Sequence, residues 1–355
     1  MQYIDLRTRF LLIQSTTDGT NTINMAKSSL KKNRDKFLNA LLESQATLNE
    51  DIKGLKNQIN KLMQYKSIDQ LEEAASLSNT CQKILQDCQE RAKVCNSREL
   101  NFNREQTDFS MLQSMEKEFN PFYLIWTSID TFQKKSAEFK GIPLKELNGL
   151  DVEDMNDTVK KHLFQSIKIL KEMEGFGDLI KTAESFREKS IEFEKTAELA
   201  VALTTQGLQD RHWNELKEKT GIDCTDQSAN IDLKMILEKN DLSKEIIENA
   251  KLIADKASRE FQIKQKLELL EKNWAEVEFG TQPHRIKGLF IITGWGDIYK
   301  VLDEDVQEVQ QLEVNPYKQH FINEINEWSS SFQNITDVFI WIYKNTITRT
   351  ITPRL

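Results

Sequence analysis

Leu48, Ile52, Leu55, Ile59 and Leu62 alternate spacings of four and three residues, with Leu41 one heptad earlier. Such a stripe lies along one side of a helix and requires a second helix to cover it. Leu71, Leu77, Cys81, Ile84, Cys88 and Cys95 carry the rhythm on beyond a break near Ser67. The spacing predicts helices over about residues 24–65 and 68–109, paired as an antiparallel hairpin or as part of a bundle. A strand at residues 10–14 and a Thr-Thr-Asp-Gly-Thr turn are expected ahead of them.

Composition supports helices of this length. The 355 residues include only 12 Gly and 5 Pro, the first Pro at position 121, with 29% charged and 39% apolar side chains. That mixture fits long solvated helices with real cores, so a mainly α, elongated array of helical hairpins and bundles is expected. A net charge of −8 argues against nucleic-acid binding, which needs a concentrated basic surface. The longest apolar runs fall far short of the roughly 18 residues that span a bilayer, so no membrane partner is expected. The first residues lack a basic stretch followed by an apolar core, so no secretory leader is read there. Cys81, Cys88 and Cys95 recur every seven residues, about 10 Å apart along a helix, too far for all three to hold one metal ion. They read as small apolar residues of a buried seam, with a redox or intermolecular disulfide role as the alternative. Cys224 stands alone.

Near Asn120-Pro121 the composition changes. Phe119, Phe122, Tyr123, Leu124 and Trp126 form an aromatic knot suited to packing between bundles. Helices are expected over residues 122–139, 152–173 and 176–198, separated by Gly141-Ile142-Pro143 and by Gly175-Phe176-Gly177. The latter lacks the strand and the further glycine of a dinucleotide fingerprint and reads as a turn. Arg211-His212-Trp213 opens the next helix, residues 221–229 form a polar loop, and residues 241–274 read as one long helix.

The stretch from residue 274 to 328 holds four of the twelve glycines and three of the six tryptophans. Val277 and Phe279 alternate with Glu276 and Glu278, and residues 289–292 form a short apolar run, so a β-hairpin is expected between helices at about residues 275–293. Helices through Val301-Leu302 and over residues 316–335 follow.

Trp274, Val277 and Phe279, then Gly288, Gly294, Ile298 and Leu302-Asp303, resemble the linker segment of dynein heavy chains. Arg211-His212-Trp213 upstream, and Asn315-Pro316-Tyr317, Phe321 and Glu327-Trp328 downstream, resemble further blocks of that family in the same order. Residues 205–213 and the aromatic knot look more like the axonemal than the cytoplasmic type. The resemblance implies a tail segment over residues 1–110, a linker over residues 111–336 and a divergent end over residues 337–355. That end is Thr-rich and no longer looks like the helix the family places there. With the missing ring, it suggests a truncated fragment. The structural linker motif would comprise Arg211, His212, Trp213, Trp274, Phe279, Gly288, Gly294 and Trp328. Implied partners are an AAA+ motor ring in the intact heavy chain and dynein intermediate or light chains, with no direct microtubule contact from this segment. The implied location is the cytoplasm and cytoskeleton, in the cilium axoneme.

Enzymatic motifs are not found. The chain has no Gly-x-x-x-x-Gly-Lys-Ser/Thr, no His-Glu-x-x-His and no Gly-x-Ser-x-Gly, so a P-loop ATPase, a zinc hydrolase or a serine hydrolase has no support and no cofactor is expected. Asp303-Glu304-Asp305 lacks the apolar strand of a Walker-B carboxylate and reads as a solvated helix face. His212 reads as a packing residue with local hydrogen bonds, and Trp213, Trp274 and Trp328 as anchors between helices. By its likeness the segment is a lever and not an engine, with a bend placed carboxy-terminal to Trp274. A stand-alone coiled-coil scaffold is the alternative.

Overall fold

The computed structural model describes residues 2–225, 231–239, 242–278, 280–283 and 290–351. They fall into two compact units, residues 1–136 with 155–192, and residues 137–154 with 193–355. The fold is mainly α, as expected, with one two-stranded antiparallel ribbon among the described residues.

In the first unit, α1 (Gln2–Leu62) and α2 (Leu71–Asn101) form the predicted hairpin. Leu41, Leu48, Ile52, Leu55, Ile59 and Leu62 are buried, as are Leu71, Cys81, Cys88 and Cys95 of α2, whereas Leu77 and Ile84 of the expected stripe are half-buried and Leu85 is buried instead. The expected strand and turn near the start are instead helical. Thr17, Thr20 and Thr22 each return their hydroxyl to the carbonyl four residues back at 2.8 Å, a bond that lets β-branched threonine sit in a helix.

The second predicted helix stops earlier than expected. α2 ends at Asn101 and α3 (Ser110–Gly141) begins after a loop. Asn103 takes a left-handed conformation with φ 54°, which asparagine tolerates better than most residues. The buried Glu99 carboxylate then accepts from the Thr107 N–H at 2.8 Å and its hydroxyl at 2.7 Å, while Asp108 caps Ser110 at 2.8 Å.

Pro121 does not open a helix. It lies inside α3, where an interior proline costs about 3 kcal/mol. Burial of Phe119, Phe122, Ile125 and Trp126 around it offsets that cost. Phe122 meets Phe176 edge-on at 4.9 Å, and Phe132 meets Phe186 at 6.4 Å. α4 (Gly149–Lys171) and α5 (Gly177–Leu203) contribute to both units. Between them Gly175, with φ 95°, makes the expected turn.

The second unit adds α6 (Asp210–Thr220), α7 (Leu233–Lys239) and α8 (Lys244–Ala275). The ribbon follows, β1 (Gly280–Pro283) and β2 (Phe290–Thr293), in register from Gly280 opposite Thr293 to Pro283 opposite Phe290. It starts later than the alternation of Val277 and Phe279 suggested. Val277 precedes β1, and Phe279 and Gly288 lie outside the described residues. The strand runs through Thr281, Gln282 and Pro283, beyond the alternating residues. α9 (Trp295–Glu313) and α10 (Ile322–Ile351) complete the unit. α10 remains helical well into the Thr-rich end, because β-branched residues lower helix propensity by tenths of a kcal/mol whereas proline, absent until Pro353, breaks it.

Candidate functional site

Arg211, His212 and Trp213 sit in the first turn of α6, and how that turn is placed follows from the loop ahead of it. Gly207 has φ 92°, and a Cβ there would collide with the Phe261 Cβ and come within 2.9 Å of the Ala257 carbonyl. The loop therefore lies directly on α8, an approach open only to glycine. Gln209 then caps α6, its N–H donating to His212 Nδ1 at 3.1 Å. Gly221, left-handed at φ 75°, closes the other end. His212, Leu216 and Thr220 are spaced by four and form the buried face.

That face meets Glu260 of α8, whose side chain is only 3% exposed. Arg211 Nε donates to Glu260 Oε2 at 3.1 Å and Nη2 donates to the same oxygen. His212, fully buried, holds Nε2 at 3.2 Å from it, too poorly aligned for a full hydrogen bond. Because Nδ1 accepts from the backbone, the ring is the neutral Nε2–H tautomer. Burial pushes the His212 pKa down, against the opposing pull of Glu260. A second tie runs alongside, with Glu215 of α6 accepting from Lys219 at 2.7 Å and from Lys256 of α8 at 2.9 Å. These hydrogen bonds hold its carboxyl down to about 2. Trp213 is half-buried.

Trp274 and Trp328 meet farther along the second unit. The Trp274 indole N–H donates to Asp305 Oδ2 at 2.7 Å, linking the end of α8 to α9 across the ribbon. Its ring lies 5.0 Å from Phe332 of α10, and Trp328 lies 5.2 Å from the same phenyl ring. Ile263, Leu267, Leu270, Leu302, Val309, Leu312 and Ile325 close a core around these aromatics. Gly294, at φ 76°, turns the chain from β2 into α9. Thus Trp274 and Trp328 share one cluster, Arg211 and His212 share another, and Phe279 and Gly288 lie outside the described residues. The acidic run is only partly a solvated face. Asp303 and Glu304 are exposed, whereas burial raises the Asp305 pKa and the indole N–H opposes the rise.

Two partners escaped the sequence reading. Glu260 follows Ile253 and Ala257 at helical spacing, so a lone carboxylate on an apolar stripe was the available signal. Asp305 carried none, since its neighbours are equally acidic.

The chemistry here is that of joints. Among the described residues no group of three or more His, Cys, Asp or Glu side chains is placed to hold a metal ion. All four cysteines are buried free thiols, and burial pushes each thiol pKa up, Cys81 and Cys224 to about 11, which disfavours the thiolate that redox exchange uses.

Residues 112–344 match the family model described as dynein heavy chain, N-terminal region 2. The chain is 26% identical over 316 residues, 89% of its length, to dynein axonemal heavy chain 1 of Rattus norvegicus. It is 22% identical over 300 residues to dynein axonemal heavy chain 12 of the same species, and 23% identical over 245 residues to dynein axonemal heavy chain 3 of Homo sapiens. These alignments cover 84% and 69% of the chain. The chain spans only 7%, 10% and 6% of the length of these three relatives. With the family model covering well over half of it, this chain belongs to the dynein heavy chain family.

Proposed function

We propose that the segment is a non-catalytic lever of an axonemal dynein heavy chain, with residues 1–110 as the end of the tail and residues 111–336 as the linker. In this reading it carries displacement produced by ATP hydrolysis in AAA+ modules elsewhere in the heavy chain to microtubule-based movement in the cilium axoneme. Its partners are that ring and dynein intermediate or light chains.

The observation that carries this reading is the Trp274 joint. One side chain ties three helices, through a 2.7 Å hydrogen bond to Asp305 and ring contact with Phe332. A lever needs joints that do not yield, and close-packed aromatics with a satisfied polar tip supply them. The same packing limits where a bend fits. Because the last turns of α8 share a core with α9 and α10, the bend belongs to the ribbon itself, where β1 is exposed along its length. Hydrogen exchange should then be fast over residues 280–283 and 290–293 and slow over residues 263–274 and 302–312. Uniform protection across all three would sink the placement of the bend. For the lever itself, the test is Trp274→Ala in the intact heavy chain. Microtubule gliding should slow several-fold while ATP turnover changes by less than about twofold, and equal losses in both would reject the reading. The scaffold alternative draws less support from the heptads of Leu41 to Leu62, since these are spent on α2 within the same chain.

A further inference from the structure

The first part of α1 is built differently from the part that α2 covers. Every described residue from 7 to 37 is exposed, including Leu12, Ile23, Leu30 and Phe37 at 55–68%. At 100° per residue these four lie within about 40° of Leu41 around the helix axis, so they prolong the buried face of α1 beyond its partner. Lys27, Lys31 and Arg34 border that stripe on one side, about 20–80° from Leu41, and all three are exposed. Residues 27–36 hold five cations, Lys27, Lys31, Lys32, Arg34 and Lys36, against Asp35 alone, a balance of 5 − 1 = +4 in a chain of net −8.

Such a helix is poorly equipped to stand alone. Thr16, Thr17, Gly19, Thr20, Asn21, Thr22 and Asn24 are weak helix formers concentrated within nine residues, and helices in proteins draw their stability from a packed face more than from propensity.

We propose that residues 12–37 are a docking face for an acidic amphipathic helix, which continues the α1–α2 pairing and sets carboxylates against Lys27, Lys31 and Arg34. Continuity with the existing interface and the sign of the border select this occupant. Residues 12–37 of a second copy offer no carboxylate there, since Asp18 and Asp35 both lie about 100° or more from the stripe. A membrane surface would need a broad apolar half, whereas polar residues 15–22 interrupt this stripe.

The test uses the full chain and three probes: a synthetic 28-residue amphipathic helix with glutamates flanking a leucine stripe, the same peptide with lysines in their place, and phosphatidylserine vesicles. The glutamate peptide should slow hydrogen exchange over residues 12–37 and bind at least about tenfold tighter than the lysine peptide at low salt. Combined Lys27→Glu, Lys31→Glu and Arg34→Glu should invert that preference. Ile23→Asp with Leu30→Asp, at positions already in water, should abolish binding of either peptide without lowering the melting temperature. Equal binding of both peptides, protection elsewhere in the chain, or protection by vesicles and not by the glutamate peptide would each overturn the proposal.

Discussion

The α1–α2 seam and the α6–α8 joint hold helices together by opposite means. Along most of the seam the buried contacts are apolar and repeated, with Leu48, Leu55, Leu85 and Cys88 almost fully buried, and the polar ties between the two helices are few, Arg91 to Asp51 and Gln45 to Glu99. At the joint one carboxylate, Glu260, takes two donor nitrogens of Arg211 and faces a buried imidazole. An apolar seam fixes which faces meet but tolerates exchange of similar volumes, typically for less than about 1.5 kcal/mol. A buried ionic joint adds little net stability over an apolar one, yet breaking it from one side is costly. The joint therefore favours one register, as the proposed lever would require.

The aromatic joint at Phe332 lies between these extremes and carries the largest expected effect. Phe332 is 1% exposed with two indoles against it. Phe332→Ala should cost about 3–5 kcal/mol, read as a shift of the urea midpoint. Leu55→Met in the seam should cost less than about 1.5 kcal/mol. If the two shifts are equal, the contrast between replaceable and irreplaceable contacts is wrong.

How far this contrast was visible beforehand depends on the kind of contact. Leu41 to Leu62 announce their own burial because a 3.6-residue period is a local signal. Arg211 and His212 were recognisable as a motif, but the partner that gives them meaning lies 49 residues away from Arg211, and no local pattern reports pairing across such a gap. The start of α1 failed for another reason. Its threonines and glycine argue for a turn by propensity, yet side-chain to backbone hydrogen bonds inside the helix answer that preference. The ribbon was foreseen but displaced by a few residues, because Val277 and Phe279 alternate with glutamates only briefly before the chain turns. α10 outran its expected end because its Thr-rich run lowers helix propensity by only tenths of a kcal/mol and holds no proline before Pro353.

Glu260 supplies the next test. Glu260→Ala strands Arg211 and removes the acceptor facing His212. Arg211 is a third exposed and can turn toward water, so the cost should fall below that of a sealed pair, to about 2–3 kcal/mol. Glu260→Gln keeps the shape and one acceptor and should cost about half as much. A thermal melt in which Gln is as damaging as Ala would show that charge, not hydrogen bonding, holds the joint. His212 adds a pH signature. Its folded pKa is depressed, so below about pH 6.5 the unfolded chain binds a proton that the buried ring resists, and stability falls with falling pH. His212→Gln should flatten that slope below about pH 6.5.

The smallest effect belongs to the neighbouring surface tie, and it separates the sealed part of the joint from the solvated part. Glu215 is a quarter exposed and Lys256 more than a third, so water screens their attraction and Lys256→Ala should cost less than about 1 kcal/mol at neutral pH. With its carboxyl held down to about 2, Glu215 contributes its stability above the ordinary glutamate range, near pH 4.5, and loses it as pH falls toward 2. The difference between wild type and Lys256→Ala should therefore shrink on acidification and on adding salt. The Glu260→Ala difference, arising behind the surface of the protein, should respond to salt far less. Equal salt sensitivity in the two variants would mean that Glu260 is as well solvated as Glu215, and the distinction between a register-fixing joint and a decorative surface pair would collapse.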